Sequence, residues 1–194
     1  LDYHGDMEAY AAAKRRLFHT EGLSSAVLNL DDVQGVAIAG ELAGTSVQRI
    51  GYSLYAGGAK RAGVERYLEA REVILSGSGA RFLMTGSWGE AWVETPVVGR
   101  YNIANLLAVA GVLFSAGIPL DRVVHALHAV RPVAGRMERH GGNGQPLVIV
   151  DYAHTPDALQ HTLAALRDVA QAAGGSLTVV FGCGGERDRG KRRG

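Results

Sequence analysis

The spacing of apolar residues divides the chain into alternating helices and strands. Residues 6–19 carry apolar side chains at helical intervals, and residues 26–30 form a short apolar run typical of a buried strand. Between about 45 and 98 the pattern changes to three strand-like stretches separated by glycine-rich turns, at residues 69–75, 80–85 and 91–97. We therefore expect an antiparallel three-stranded flap within an α/β protein.

Helical spacing returns after Gly99. It continues to Ala116, where Gly117 and Pro119 end the helix, and a second helix is predicted over 120–130. The stretch 131–135 breaks the pattern, so a domain boundary is expected near Gly135. Beyond that point a buried strand at 147–150, a helix capped by Thr155 and a strand at 177–181 predict a parallel βαβ unit.

Composition and charge exclude several classes of protein. The 194 residues are 47% hydrophobic and 20% charged, which is typical of a globular chain and not of a disordered one. The net charge is +1, but residues 186–193 contribute five basic and two acidic groups, so the rest sums to −2. The basicity is local, and we expect no nucleic-acid partner. The basic tail is the one segment suited to nucleic acid, but it lacks the interleaved aromatic residues of such binding sites.

The sequence also indicates the cellular compartment of the protein and whether the chain is complete. Its single cysteine, Cys183, excludes an intramolecular disulfide framework and fits a reducing compartment. No stretch resembles a signal peptide or a membrane span, so a cytoplasmic protein with no membrane contact is expected. Because the chain begins at Leu1 without methionine and stops after a basic cluster, we expect further sequence on both sides.

Two polar loops follow the predicted strands of the βαβ unit. They are Asp-Tyr-Ala-His at 151–154 and Gly-Cys-Gly-Gly at 182–185. Ligands bind beyond the carboxyl ends of the strands in open parallel sheets, so both loops are expected to face one crevice. Asp151 and His154 are therefore candidate ligand residues, with ordinary turn and capping roles as the alternative.

Residues 185–192 nearly match the phosphate-binding loop G-x-x-x-x-G-K-[ST]. Arg192 replaces the hydroxyl residue that coordinates magnesium in that loop, so we interpret the match as coincidental. Arg187, Lys191 and Arg192 still offer donors suited to an anionic substrate. A dinucleotide-binding loop is disfavoured because the third glycine of its fingerprint is absent after Gly182.

Other candidate residues have equally plain structural explanations. Lys14 interrupts an apolar helical stripe, so it either extends to solvent or becomes a neutral amine able to form a metal-binding carbamate with carbon dioxide. Asn102 and Asn105 either cap a helix or bind a ligand. Arg136 and Glu138 are solvated charges, unless a hinge arginine reaches a phosphate on domain closure. His125 and His128 share a helix face but lack a third metal ligand.

Seven short segments occur in an order and at intervals that resemble the Mur ligases. Asp-Tyr-Ala-His-Thr-Pro together with Gly-Arg-Met-Glu is most similar to the MurE type, which adds the third peptide residue to UDP-N-acetylmuramoyl-dipeptide. The segments span residues 2–5, 12–14, 29–32, 99–105, 132–138, 151–156 and 182–188.

The resemblance implies an architecture and an activity. Residues 1–135 would be the later part of a central ATP-binding domain with a small antiparallel β flap, and 136–194 the start of a Rossmann-like C-terminal ligase domain. The activity would be ATP- and Mg²⁺-dependent amide-bond formation between UDP-N-acetylmuramoyl-L-Ala-D-Glu and a diamino acid, through an acyl phosphate, by a monomer. Diaminopimelate and lysine stay open, as does a sister ligase such as folylpolyglutamate synthase. The isolated piece is expected to be inactive.

The resemblance also implies a role for each candidate. Lys14 would be carbamylated and position magnesium, Asn102 and Asn105 would lie near adenine, and Asp151 would bind the ribose. Arg136 would reach the ATP phosphates, while His154 would lie near the nucleotide without a definite role. The C-terminal loop facing the cleft would supply Arg187, Asp188 and Lys191.

Overall fold

The computed structural model describes residues 7–58, 63–142 and 144–182. The helices in this part are α1 (Met7–Arg15, continued by a 3-10 turn at Arg16–His19), α2 (Val33–Glu41), α3 (Arg100–Ser115), α4 (Leu120–His128) and α5 (Pro156–Ala172). The strands are β1 (Ser25–Asn29), β2 (Gln48–Ser53), β3 (Arg66–Ser76), β4 (Gly79–Gly86), β5 (Gly89–Thr95), β6 (Glu138–Gly141) and β7 (Leu147–Val150).

Five strands form one mixed sheet in the order β1-β2-β3-β4-β5. The pairs β1–β2 and β2–β3 are parallel, whereas β3–β4 and β4–β5 are antiparallel. The predicted three-stranded flap is therefore present as β3, β4 and β5, but it continues a parallel sheet and does not stand apart. A bulge between Arg71 and Ile74, with Glu72 at φ 49°, bends β3 where the flap extends.

The main core lies between this sheet and the helices α3 and α4. Phe82, Leu107 and Val123 are completely buried there, and burying each such side chain contributes roughly 1.5–3 kcal/mol. Apolar residues recur along α3 at the spacing read from the sequence, which is why that helix was predicted almost to its ends. The other members of the cluster are Leu68, Ala70, Ala80, Met84, Val93, Val97, Ile103, Leu106, Ala110, Phe114 and Leu127.

The predicted parallel βαβ unit is wrong within the described residues. Strand β7 pairs antiparallel with β6, and residues 177–181 form no strand. Leu147, Val148 and Val150 were expected to be buried, yet they are 37%, 51% and 44% exposed. A buried parallel strand needs cover on both of its faces. Among the described strands β7 pairs with β6 alone, and Ile149 packs toward the small cluster of Val98, Met137 and Val169.

No helix in the described part of the chain is long and apolar enough to cross a membrane.

A buried arginine joins helix α2, strand β2 and the approach to β3. Arg49 is 9% exposed, and its guanidinium donates to the carbonyls of Ala39 at 2.9 Å and Gly63 at 3.1 Å. The same group forms a paired contact with the carboxylate of Glu65, which also accepts the Arg49 backbone N–H at 2.8 Å. These hydrogen bonds lower the pKa of Glu65 from 4.5 to about 2.

We expect Glu65→Gln to lose stability in a pH-dependent way. The pKa of Glu65 is about 2 in the folded protein and 4.5 as the reference value, so its contribution is complete above about pH 4.5 and disappears as the pH falls toward 2. At pH 7 the variant should lose about 1 kcal/mol of unfolding free energy, since water screens the half-exposed carboxylate. Urea unfolding of both proteins over this pH range, with the exposed Glu90→Gln as control, measures the effect. A difference that stays constant with pH would contradict it.

Candidate functional site

Three distant segments meet around a cavity of about 560 Å³. The first turn of α3, the connection before β6 and the loop from β7 into α5 each contribute one wall. Five of the predicted site residues lie on these walls, namely Asn102, Asn105, Arg136, Asp151 and His154. The remaining lining residues are Tyr101, Val133, Tyr152, Ala153, Ala158, His161 and Thr162.

Asp151 is held in place by three donors. Its Oδ1 accepts the N–H of Ala153 at 2.8 Å and the hydroxyl of Thr162 at 3.3 Å, and its Oδ2 accepts the N–H of Met137 at 2.9 Å. The turn role considered from the sequence is therefore real. A carboxylate offers about four acceptor positions, so one remains on Oδ2 for a ligand hydroxyl. The group is fixed before any ligand arrives.

The two asparagines lie on adjacent turns of α3. Nδ2 of Asn102 donates to the carbonyl of Val98 at 2.7 Å, and Nδ2 of Asn105 lies 3.5 Å from Oδ1 of Asn102. Asn102 thus does not cap a free helix N–H, because its amide group satisfies a carbonyl that precedes the helix. Its side chain is fixed at the cavity wall, while that of Asn105 stays exposed.

The side chains of Arg136 and His154 both lie against the ring of Tyr152 in the cavity wall. The guanidinium carbon of Arg136 lies 5.0 Å from the centroid of the Tyr152 ring, and the His154 ring centroid lies 5.2 Å from it. The ring of His154 is anchored further by Nδ1, which is 3.1 Å from the Tyr152 carbonyl. A cation resting on an aromatic face keeps a defined position while its N–H groups stay accessible.

Among the seven lining residues that were not predicted as site residues, Tyr101, Tyr152 and Thr162 carry hydroxyl groups. Partial burial, with the nearby Asp151 carboxylate, raises the pKa of Tyr101 to about 12, so the phenol keeps its proton. Tyr101 and Tyr152 are sequence neighbours of the predicted site residues Asn102 and Asp151, and this proximity could have identified them from the sequence. Thr162 shows a second signal, since it is a polar residue on the otherwise apolar inner face of α5.

Lys14 lies at the exposed end of α1 and does not line this cavity. The apolar stripe expected around it is wrong, because Leu17 is 67% exposed. Nζ of Lys14 lies 4.2 Å from the centroid of the Tyr10 ring. The side chain thus makes a cation–π contact with an aromatic residue one turn earlier in α1. The neighbouring Arg15 ties α1 to α2 through an ion pair with Glu41 at 3.2 Å.

The described residues contain no group of three or more histidine, cysteine, aspartate or glutamate side chains placed to hold a metal ion. His128 accepts the backbone N–H of Glu94 at 3.1 Å and is accounted for structurally. An unmodified lysine does not suit Mg²⁺, which prefers oxygen ligands. Lys14 would fit such an ion as a carbamate and in no other form.

The basic C-terminal loop lies outside the described residues. Arg187, Asp188 and Lys191 were predicted to face the cleft, and the near match to a phosphate-binding loop falls on the same segment, 183–194.

Two family models match the chain in succession. The Mur ligase middle domain matches residues 1–113, and the Mur ligase glutamate ligase domain matches residues 135–194. The chain belongs to the Mur ligase family. The predicted family and fold class are thereby confirmed, apart from the parallel βαβ unit.

Individual Mur ligases resemble almost the whole chain. A UDP-N-acetylmuramoyl-L-alanyl-D-glutamate--2,6-diaminopimelate ligase from Ralstonia nicotianae is 48% identical over 193 residues, covering 99% of this chain and 37% of that protein. One of the same name from Alkalilimnicola ehrlichii is 49% identical over 192 residues, covering 99% and 36%. The chain therefore spans little more than a third of the curated relatives it matches.

Solved structures of Mur ligases share the fold. A UDP-N-acetylmuramoyl-L-alanyl-D-glutamate--2,6-diaminopimelate ligase superposes with a TM-score of 0.70 at 36% identity, over 98% of this chain and 37% of that one. A MurF ligase from Thermotoga maritima in complex with ADP gives 0.62 at 18% identity over 85% of this chain and 36% of its own. The second comparison establishes the common fold alone.

Proposed function

We propose that the complete protein is an ATP-dependent ligase that joins 2,6-diaminopimelate to UDP-N-acetylmuramoyl-L-alanyl-D-glutamate. The observation that carries the proposal is the convergence of Asn102, Asn105, Arg136, Asp151 and His154 on one cavity. These residues were selected from sequence motifs, and relatives that are 48–49% identical carry the name of this ligase. The names of those relatives favour diaminopimelate over lysine.

The cavity is proposed to hold the nucleoside of ATP. Its volume of about 560 Å³ falls within the usual range of roughly 300–1,000 Å³ for small-molecule sites. The remaining acceptor position of Asp151 suits a ribose hydroxyl, and the amides of Asn102 and Asn105 suit an adenine edge. Arg136 would reach the phosphates from its place on Tyr152, with His154 beside it. Residues 1–135 and 136–194 are proposed as the two domains that supply these walls.

The proposed reaction has two steps. A side-chain carboxylate oxygen of the glutamate attacks the terminal phosphorus of ATP, which gives an acyl phosphate and ADP. The diamino acid's amine then attacks the acyl carbon, phosphate leaves, and the amine loses a proton. Phosphoryl transfer is accelerated mainly by positioning and by charge stabilisation. Arg136 would both position the phosphoryl group and stabilise its charge, because a guanidinium can donate two parallel hydrogen bonds to the phosphoryl oxygens that gain charge in the first step.

Lys14 is proposed to bind Mg²⁺ after reacting with carbon dioxide. The carbamate supplies anionic oxygen in place of a cation, and the bound metal would neutralise phosphate charge. For this the lysine must leave its present contact with Tyr10. We further propose a cytoplasmic monomer, since ATP-dependent chemistry and a single cysteine suit a reducing compartment. Arg187, Asp188 and Lys191 are proposed to complete the site.

The test uses the product of the complete gene. Phosphate release from ATP is measured with UDP-N-acetylmuramoyl-L-Ala-D-Glu plus either diaminopimelate or lysine. We expect release that requires the dipeptide substrate and diaminopimelate together. If phosphate is released with lysine and not with diaminopimelate, lysine replaces diaminopimelate as the proposed amino acid. If neither amino acid supports phosphate release, the assignment is overturned in favour of a sister ligase, which a panel of other acceptors would identify.

We expect Lys14→Ala to lower kcat by roughly 100-fold or more, because a metal ligand is lost. The affinity for ATP should change little, since Lys14 does not line the cavity. Arg16→Ala, an exposed change in the adjoining turn, serves as control. Isotope-labelled bicarbonate should give a carbamate NMR signal in the wild type and none in the variant. Full activity of Lys14→Ala would remove this residue from the mechanism.

A further inference from the structure

The backbone around Arg136 is fixed by three consecutive hydrogen bonds. The N–H of Gly135 donates to Oε2 of Glu138 at 2.7 Å, and that of Arg136 donates to the carbonyl of Val133 at 2.9 Å. The N–H of Met137 donates to Oδ2 of Asp151 at 2.9 Å. Two of the three acceptors are carboxylates, and bonds to charged acceptors are the stronger kind. The segment is thus held much more tightly than an ordinary connection.

The conformation that these bonds hold is one the chain would otherwise avoid. Gly135 has φ 68° and Met137 has φ 48°, so both neighbours of Arg136 lie in the left-handed region. For a residue with a side chain this costs on the order of 1 kcal/mol and persists only when the surroundings enforce it. Met137 is buried, at 1% exposure. The two left-handed residues turn the chain sharply on each side of Arg136, and this sets the direction of its side chain.

We propose that Glu138 is a positioning residue of the ligase, whose carboxylate holds the backbone from which Arg136 reaches the phosphates of ATP. This inference rests on the proposed function, because it requires that Arg136 binds the nucleotide. Glu138 is half-buried on β6 and does not line the cavity. It therefore acts through the Gly135 N–H and not by touching the ligand.

The other contact of Glu138 offers a competing explanation. Its Oε1 lies 3.3 Å from Nε2 of His140, on the same strand. If Glu138 served only to pair with His140, its loss would affect β6 and leave the direction of Arg136 unchanged. The hydrogen bond from the Gly135 N–H is accepted by the second carboxylate oxygen of Glu138, Oε2. A glutamine retains an uncharged acceptor for Gly135 and removes the charge seen by His140, so it separates the two contacts.

The experiment is a double-mutant cycle on the complete protein. Dissociation constants for ATP and for AMP are measured by calorimetry in the wild type, Glu138→Ala, Arg136→Ala and the double variant. We expect Glu138→Ala to weaken ATP binding about tenfold and AMP binding less than about twofold. Glu138→Gln should bind ATP within about threefold of the wild type. In the Arg136→Ala background, Glu138→Ala should have no further effect on ATP.

Hydrogen exchange of the peptide covering residues 133–138 provides a readout that does not depend on ligand. Exchange at the Gly135 amide should accelerate in Glu138→Ala and recover in Glu138→Gln. The exposed Glu90→Ala on β5 should match the wild type in every assay. The positioning role of Glu138 would be overturned, without affecting the proposed function, by either of two results. One is that Glu138→Ala and Arg136→Ala have additive effects on ATP binding, and the other is that Glu138→Ala weakens the binding of ATP and AMP equally. A wild-type protein that binds neither nucleotide would overturn the proposed function and this inference together.

Discussion

Replacing Gly35 by alanine should destabilise the protein by more than about 3 kcal/mol. Helix α2 crosses β1 so closely at this point that an added Cβ would lie 1.7 Å from the carbonyl oxygen of Asn29. That oxygen belongs to the backbone of β1, which is hydrogen-bonded to β2, so it cannot move aside as a flexible side chain would. The helix must shift away from β1, and Ala26, Leu28 and Ile38 would lose their packing.

The same helix contains its own control for this prediction. Gly40 is exposed, and a Cβ there would meet nothing within 4 Å. Gly40→Ala should therefore be neutral or stabilise the protein by up to about 1 kcal/mol, because alanine loses less entropy in a helix. Urea unfolding of both variants followed by circular dichroism provides the comparison. Equal stabilities would show that α2 and β1 are not in such close contact.

Arg136→Ala should lower kcat by roughly 100- to 1,000-fold, the usual consequence of removing one charged donor from a reacting phosphoryl group. Arg136→Lys should recover only part of the loss, since an ammonium cannot form the forked contact of a guanidinium. The fold should tolerate both changes, because the side chain is exposed and lies against the ring of Tyr152 at the surface.

Steady-state kinetics in the complete protein, with circular dichroism to verify folding, tests this expectation. Arg131→Ala is a matched control, since it removes an exposed arginine from the same connection between α4 and β6. A higher KM for ATP with an unchanged kcat would show that Arg136 contributes to binding of ATP in the ground state and not to the chemical step. Activity within about threefold of the wild type would exclude any contact between Arg136 and the transferred phosphoryl group.

The parts of the fold that follow from the sequence are those in which local pattern and tertiary contact agree. Helix α3 was predicted because its buried residues recur at helical spacing, and the turns around Gly79 and Gly89 marked the antiparallel strands. Helix α2 was missed, since it contains two glycines and is stabilised by its Asp32 cap and by packing on β1. Such stabilisation depends on distant contacts that no local window contains.

Strand β7 was predicted at the right residues but with the wrong partner and the wrong burial. Leu-Val-Ile-Val at 147–150 has the composition of a buried parallel strand, but composition does not specify which partner supplies the hydrogen bonds. The partner is β6, a strand that the sequence pattern did not predict. The cavity residues were foreseen as separate motifs. Their convergence required the fold, because Asn102 and Asp151 are 49 positions apart (151 − 102) in the sequence.

Strand β3 belongs to both halves of the large sheet, parallel to β2 on one edge and antiparallel to β4 on the other. Any force applied to the tip of the flap is therefore transmitted through backbone hydrogen bonds to β1 and its helices. The flap cannot swing as an independent lever. Rigid-body motion should instead concentrate in residues 129–132, which belong to no helix or strand and precede the hydrogen-bonded turn at Arg136, and native-state hydrogen exchange should show the five strands opening as one cooperative unit.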